Sequence, residues 1–209
     1  MEMHFHGVLY VFVITFSLIN LVQAQEQKGF ITLDCGLLPD GSPYVDPSTG
    51  LTFTTDSSFV ESGKNGRVDK ESERNFAKAF VTLRYFPDGE RNCYNVKVTR
   101  GINYLIRASF FYGNYDGRNI IPNFDLFLGP NKWTTVNLNA TGGGKYEEII
   151  HMSRLSSLQI CLVKIGTTTP MISALELRPL RSDVYVSGVG SSLKFLSRSY
   201  HSGSGGILR

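Results

Sequence analysis

Residues 104–112 (YLIRASFFY) decide the fold class. The run is apolar on both faces and rich in aromatic and branched side chains, so it reads as a central strand covered on both sides. Around it the sequence alternates with period two. Residues 94–98 do so cleanly, and in residues 123–128 Phe124, Leu126 and Leu128 face one way while Asp125 and Phe127 face the other. In residues 157–163, Leu158, Ile160 and Leu162 oppose Gln159, Cys161 and Val163. Residues 30–34, 80–84, 133–138, 146–150 and 172–177 add further strands. Turn-forming runs separate them, among them Pro39-Asp40-Gly41, Pro87-Asp88-Gly89, Tyr115-Asp116-Gly117 and Gly129-Pro130-Asn131. The one helical competitor, residues 69–80, reads as a polar loop or a single turn. Short strands joined by regular turns, with no helices between them, predict an all-β, antiparallel β-sandwich.

The chain has 209 residues, 42% hydrophobic, 12% aromatic and 19% charged, which excludes a disordered tail and suits one domain. Acidic and basic residues balance between Gln25 and Leu177. The formal net charge of +3 therefore resides in Arg178, Arg181, Lys194, Arg198 and Arg209, a placement that excludes a phosphate-reading nucleic-acid surface. Residues 8–22 (VLYVFVITFSLINLV) are almost wholly apolar and run into Val22-Gln23-Ala24, as a secretory signal does. Residues 1–24 are thus expected to be a signal peptide, with an uncleaved membrane anchor as the alternative. The secretory pathway, ending outside the cell or at its surface, is the expected location. Asn139-Ala140-Thr141 is the only N-x-S/T triplet and precedes three glycines, marking Asn139 as a glycan acceptor in an exposed turn. Three cysteines, Cys35, Cys93 and Cys161, allow one bridge and one leftover thiol, with all three pairings open. After Leu180 the composition changes, and residues 187–206 are dominated by Ser and Gly, although residues 184–186 and 193–196 retain edge-strand character. The expected plan is a signal over 1–24, a folded module over 25–180, and a linker or the start of a second module over 181–209.

Catalytic signatures are absent: there is no GxSxG elbow, GxxxxGK loop, GxGxxG or HExxH. Beyond the signal only His151 and His201 remain, and Glu147 and Glu148 are strand neighbours that point to opposite faces. No enzyme activity, metal or cofactor is expected. What the sequence does offer is aromatic, amide and carboxylate groups together in Phe111, Tyr112, Asn114, Tyr115 and Asp116, beside Gly113 and Gly117. A ring covers the CH face of a sugar while Asn and Asp meet its hydroxyls, so this loop is a candidate carbohydrate site. Trp133, the sole tryptophan, is a second candidate platform or a core anchor.

Several motifs in order along the chain resemble one family. They are Ile31-Thr32-Leu33-Asp34-Cys35-Gly36, Thr49-Gly50-Leu51 with Thr54-Thr55-Asp56, Leu83-Arg84-Tyr85-Phe86-Pro87-Asp88-Gly89 running into Arg91-Asn92-Cys93-Tyr94, Tyr104-Leu105-Ile106-Arg107-Ala108 with Tyr112-Gly113-Asn114-Tyr115-Asp116-Gly117, Phe124-Asp125-Leu126-Phe127-Leu128-Gly129, and Ile172-Ser173-Ala174-Leu175-Glu176-Leu177-Arg178-Pro179-Leu180. Together they resemble the malectin-like ectodomain of plant leucine-rich-repeat receptor-like kinases. The resemblance implies a jelly-roll-like β-sandwich and a binding role at the plant cell surface. Its implied partners are an oligosaccharide or cell-wall polysaccharide, a secreted peptide, or a receptor kinase. Phe111 and Tyr112 fall near the central aromatic pair of animal malectin; the other sugar contacts have no clear match. The family places two such modules before repeats, a membrane span and a kinase, and this chain is expected to hold the first module alone. Two functions stay open: a lectin-like module for cell-wall or N-glycan sugars, and a protein or peptide interaction module that touches no sugar.

Overall fold

The computed structural model describes residues 27–185 and 191–194. The chain divides into two compact units, Met1–Phe30 and Ile31–Arg209, and all the described strands belong to the second. They are β1 (Ile31–Asp34), β2 (Tyr44–Val45), β3 (Thr52–Thr55), β4 (Lys64–Arg67), β5 (Thr82–Tyr85), β6 (Arg91–Lys97) and β7 (Asn103–Phe111). Then follow β8 (Asn123–Leu128), β9 (Asn131–Asn137), β10 (Gly144–Met152), β11 (Ser157–Lys164), β12 (Met171–Ile172), β13 (Ala174–Pro179) and β14 (Ser192–Lys194). They form a seven-stranded sheet in the order β14-β10-β7-β13-β1-β3-β2, a four-stranded sheet β6-β11-β8-β9, and a three-stranded sheet β12-β5-β4. Pairing is antiparallel apart from β1 with β3, which run parallel through Leu33 opposite Thr54.

The central strand is where the sequence places it. β7 is hydrogen-bonded on both edges, to β10 and to β13. Its inward residues Tyr104, Ile106, Ala108 and Phe110 meet Tyr94, Val96, Phe124, Leu126, Ile160 and Leu162 of the four-stranded sheet in one core. Phe110 packs edge-on to Phe124, ring centroids 5.4 Å apart. Period-two burial holds in β6 and β8, because each has one face on the core and one on solvent. The helical competitor resolves into a single α-turn, α1 (Lys70–Glu73), and a 3-10 turn at Lys78–Phe80. Asp69 caps α1 by accepting the Ser72 amide at 2.7 Å.

Some elements differ from expectation. β2, β3 and β4 carry little apolar alternation, and β4 (Lys-Asn-Gly-Arg) is polar throughout; its pairing with β5 creates the strand. Val184 and Tyr185 lie in a bend, not an edge strand, whereas Leu193 and Lys194 do form part of one, against β10. The signal segment, Val186, residues 187–190 and residues 195–209 lie outside the described residues.

A buried polar hub joins the three sheets. Asp56, fully buried just after β3, accepts Arg84 Nε at 2.6 Å and Nη2 at 2.7 Å from β5, the Tyr94 hydroxyl at 2.8 Å from β6, and the Gly36 amide at 3.2 Å from the turn after β1. Gly36 has φ +83°, and a Cβ there would lie 2.0 Å from the Leu83 carbonyl oxygen, so no side chain fits at this crossing. Nearby, Asp34 accepts the hydroxyls of Tyr44, at 2.6 Å, and Thr82. Burial pushes its carboxyl up to about 6, against the lowering effect of those two bonds.

Candidate ligand-binding site

The loop after β7 brings its predicted residues together, but they spend their polar groups on one another. Gly113 (φ +45°) passes so close to α1's neighbour Val68 that a Cβ would sit 2.4 Å from Val68 Cγ1. The chain then turns through Asn114, also at positive φ. The Tyr112 hydroxyl donates to Asp116 Oδ1 at 2.6 Å and accepts the Ile120 amide at 3.2 Å, while Asn114 Oδ1 accepts the Asn119 amide at 2.9 Å. Burial, then the Asp116 bond, pushes the Tyr112 phenol up to about 12. Only 5% of Tyr112 is exposed, and Tyr115 is half-buried, its ring centroid 5.0 Å from that of Tyr85. Tyr112, Tyr115 and Asp116, with Arg118, Ile120 and Thr168, line a cavity of about 70 Å³. That is the share of roughly two waters in the liquid, too little to enclose a pyranose.

The other predicted residues lie apart from this loop. Phe111 faces outward in an aromatic cluster, its centroid 4.4 Å from Phe80, 5.2 Å from Phe76 and 5.4 Å from Tyr146. Tyr146 is 48% exposed, with the Arg107 guanidinium 5.6 Å from its ring centroid and Arg107 in turn paired to Glu148 at 2.7 Å. Trp133 is buried in the core, 7% exposed. Asn139 opens an exposed 3-10 turn, Asn139–Thr141. Cys93 and Cys161 are joined by a disulfide; Cys35 is free, and burial pushes its thiol well up.

Sequence reasoning missed a cleft of about 550 Å³ at one end of the sandwich. One wall is the cross-strand pair Asn95 and Gln159, linked by a 3.1 Å hydrogen bond on the outer face of β6 and β11. The β8–β9 turn, Gly129-Pro130-Asn131, and the segment between β10 and β11, with Leu155, close it; Leu128 and Leu158 supply apolar surface, and His151 stands at its side. No Phe, Tyr or Trp is among the described lining residues. The one signal available in the sequence was the amide pair at Asn95 and Gln159, each on the polar face of an alternating strand. Beside the cleft, sharing Leu128, Asn131 and His151 with it, lies a chamber of about 240 Å³ under β14, lined also by Lys132, Trp133, Ile149, Ser192 and Lys194.

Neither cavity holds a facing acid and base among the described residues. Glu147 bonds Lys145 at 2.6 Å and Glu148 bonds Arg107, on opposite faces of β10 as the spacing predicts. His151 Nδ1 is 2.8 Å from Ser192 Oγ, and burial lowers its pKa. The arrangement offers apolar contact and hydrogen-bonding amides to a ligand.

Comparison with known proteins fits this architecture. A family profile described as Malectin-like domain matches residues 33–209. Receptor-like protein kinase At3g21340 of Arabidopsis thaliana is 56% identical over 199 residues, 95% of this chain but 22% of that protein, so the chain spans about a fifth of the relative's length. Among solved structures, the plant receptor-like kinase FER superposes with a TM-score of 0.64 at 19% identity, over 76% of this chain and 43% of that one. A structure of the plant peptide RALF23 in complex with FER and LLG2 superposes at 0.60 and 14% identity, over 79% of this chain and 46% of that one. The structural likenesses bear on the fold alone, whereas the profile covers most of the chain: this protein belongs to the malectin-like domain family.

Proposed function

We propose that this protein is a non-catalytic, extracellular binding module of the receptor-kinase ectodomain type, and that its ligand is a peptide held in the cleft between Asn95, Leu128, Leu155 and Gln159. The observation that carries this reading is the cleft's composition: leucines, amides, serines and Arg154, with His151 at its side and no Phe, Tyr or Trp among the described lining residues. Leucine side chains and amides suit the side chains and backbone of an extended peptide, whereas pyranose recognition leans on an exposed ring. The FER complex with RALF23 supports a peptide ligand for the fold class. Leu155 is 68% exposed, so Leu155→Asp should leave folding intact while weakening capture on an array of extended peptides by about tenfold or more. Unchanged capture would remove the cleft from consideration.

One observation favours carbohydrate as the second reading: the exposed Tyr146 ring beside Phe111, flanked by Arg107 and Glu148. A glycan array separates the two. Sugar binding abolished by Tyr146→Ala would place the ligand on that outer face; loss with Tyr115→Ala or Asp116→Ala would return it to the loop after β7. We further propose that residues 1–24 direct secretion, that 25–180 form the module, and that Asn139 carries a glycan, its exposed turn being open to a transferase. Mass spectrometry of protein from a eukaryotic secretory host should find Gln25 at the N-terminus and a modified Asn139. An intact leader with a bare Asn139 would contradict both.

A further inference from the structure

The four-stranded sheet ends in β6 on one side and β9 on the other, and the two edges differ. β6 is capped at its middle, where the Asn95 amide donates to the Phe59 carbonyl at 2.8 Å. β9 carries no such cap among the described residues. Its outward groups follow from the ladder. The Gly129 amide donates to the Gln159 carbonyl at 2.7 Å, so there the chain faces β11; counting back in twos, Phe127 and Asp125 face β11 as well, while Leu126 and Phe124 face β9. Their partners on β9 are Thr134 and Val136, which leaves the main-chain groups of Thr135 and Asn137 turned outward. Neither amide has an acceptor among the described residues, and the Thr135 carbonyl meets only the hydroxyl of its neighbour Thr134, at 3.5 Å. Side chains that could screen this edge are drawn off it. Asp125 takes Lys132 Nζ at 2.8 Å and the Thr135 hydroxyl at 2.6 Å, so both lean back over β8. Lysine is a common guard of free strand edges, and here its ammonium is held away from that task. The register shift at Leu126 and Phe127 disturbs only the start of β9, leaving residues 134–137 in regular pairing.

We propose that the peptide held in the cleft continues past the β8–β9 turn as an extended strand added to the free edge of β9, hydrogen-bonded to the main-chain groups of Thr135 and Asn137. This rests on the peptide reading above and deepens it, because recognition beyond the cleft then reads backbone. Continuity favours this occupant: Leu128, Gly129, Pro130 and Asn131 line the cleft, and Asn131 is also the first residue of β9, so a chain leaving the cleft at the turn meets the edge directly. The chamber of about 240 Å³ beside Asn131, Lys132 and Trp133 gives room along the disturbed half of the strand. β14 sets a precedent on the same flank of the sandwich. It is a three-residue strand laid on the edge of β10 with all three residues exposed, and Lys194 Nζ donates to the Thr134 hydroxyl of β9 at 3.2 Å. A ligand strand needs no particular sequence for such pairing, since every residue except proline offers one N–H and one C=O.

Amide hydrogen exchange, read residue by residue in the full chain, tests the added strand. Peptides captured on the array of extended peptides should slow exchange at Thr135 and Asn137 by about tenfold or more. On the protein side, Thr135→Pro deletes the outward N–H, which an edge strand tolerates, and should weaken capture by about tenfold relative to Thr135→Ala. Both variants lose the hydroxyl bond to Asp125, so the comparison isolates the N–H. Where Thr135→Pro fails to fold, exchange in the parent still decides. Unchanged exchange at both amides under saturating peptide, or equal capture by two folded variants, would overturn the added strand; continued loss of capture in Leu155→Asp would then leave the peptide reading standing. Protection that grows with protein concentration in the absence of peptide would overturn the peptide as occupant and assign the edge to a second copy of the chain. An array that captures no peptide would overturn the strand together with the reading it rests on.

Discussion

Asp56→Ala should destabilise the protein by about 3–5 kcal/mol, enough to unfold a domain whose whole margin is of the order of 5–15 kcal/mol. The deleted carboxylate is fully buried and receives two bonds from Arg84, one from Tyr94 and one from the Gly36 amide. Its loss strands a guanidinium that is itself only 8% exposed, together with a buried phenol and an amide. Leaving a buried charge unpaired costs more than the pair contributes when intact, since both ions were desolvated to make it. Tyr94→Phe removes one bond to the same carboxylate and should cost less, about 1.5–3 kcal/mol. The double replacement Asp56→Leu with Arg84→Met removes both charges and should recover much of the loss. Urea denaturation followed by circular dichroism decides among these; an Asp56→Ala midpoint within error of the parent would show that the hub is not what ties the sheets together.

This hub also marks where sequence reading stops. β7 was legible because seven of its nine residues are buried, by neighbours on both sides, and carry the composition of that burial themselves. β6 and β8 were legible because one face of each is core and the other is wet, so the alternation is written locally. Asp56 and Arg84 are 28 residues apart, and Asp56 and Tyr94 are 38 apart. Nothing local distinguishes such an aspartate from one in a turn. The same limit hid the cleft. Asn95 and Gln159 are ordinary polar-face residues until the register of β11 on β6 sets them opposite one another. Conversely, the loop from Tyr112 to Asp116 looked like a ligand site because its groups are close in sequence. That closeness is what lets Tyr112, Asn114 and Asp116 satisfy one another and leave a small cavity.

Cysteine pairing was open in the sequence for the same reason, and it carries the second large effect. Cys93 and Cys161 stand directly opposite each other on β6 and β11 and close a loop of 68 residues. In the chain-entropy account such a crosslink removes about 4 kcal/mol worth of freedom from the unfolded state. The double replacement Cys93→Ala with Cys161→Ala should therefore lower stability by about 2–5 kcal/mol. Cys35 offers no substitute partner, being buried with its thiol held protonated. Thiol titration should accordingly find none reactive in the folded protein, one after unfolding without reductant, and three after reduction. Two reactive thiols in the native state would mean that the bridge is absent. The consequence for binding follows from position: Asn95 and Gln159 lie two residues from the two cysteines, on the same face of the same strands. The bridge thus clamps β6 to β11 beside the cleft wall. If the bridge only restricted the unfolded chain, the double variant would bind peptide as the parent does at any temperature where it remains folded. If it also holds the wall in register, capture should weaken below the melting transition, and comparing peptide binding with the fraction folded across that range separates the two roles.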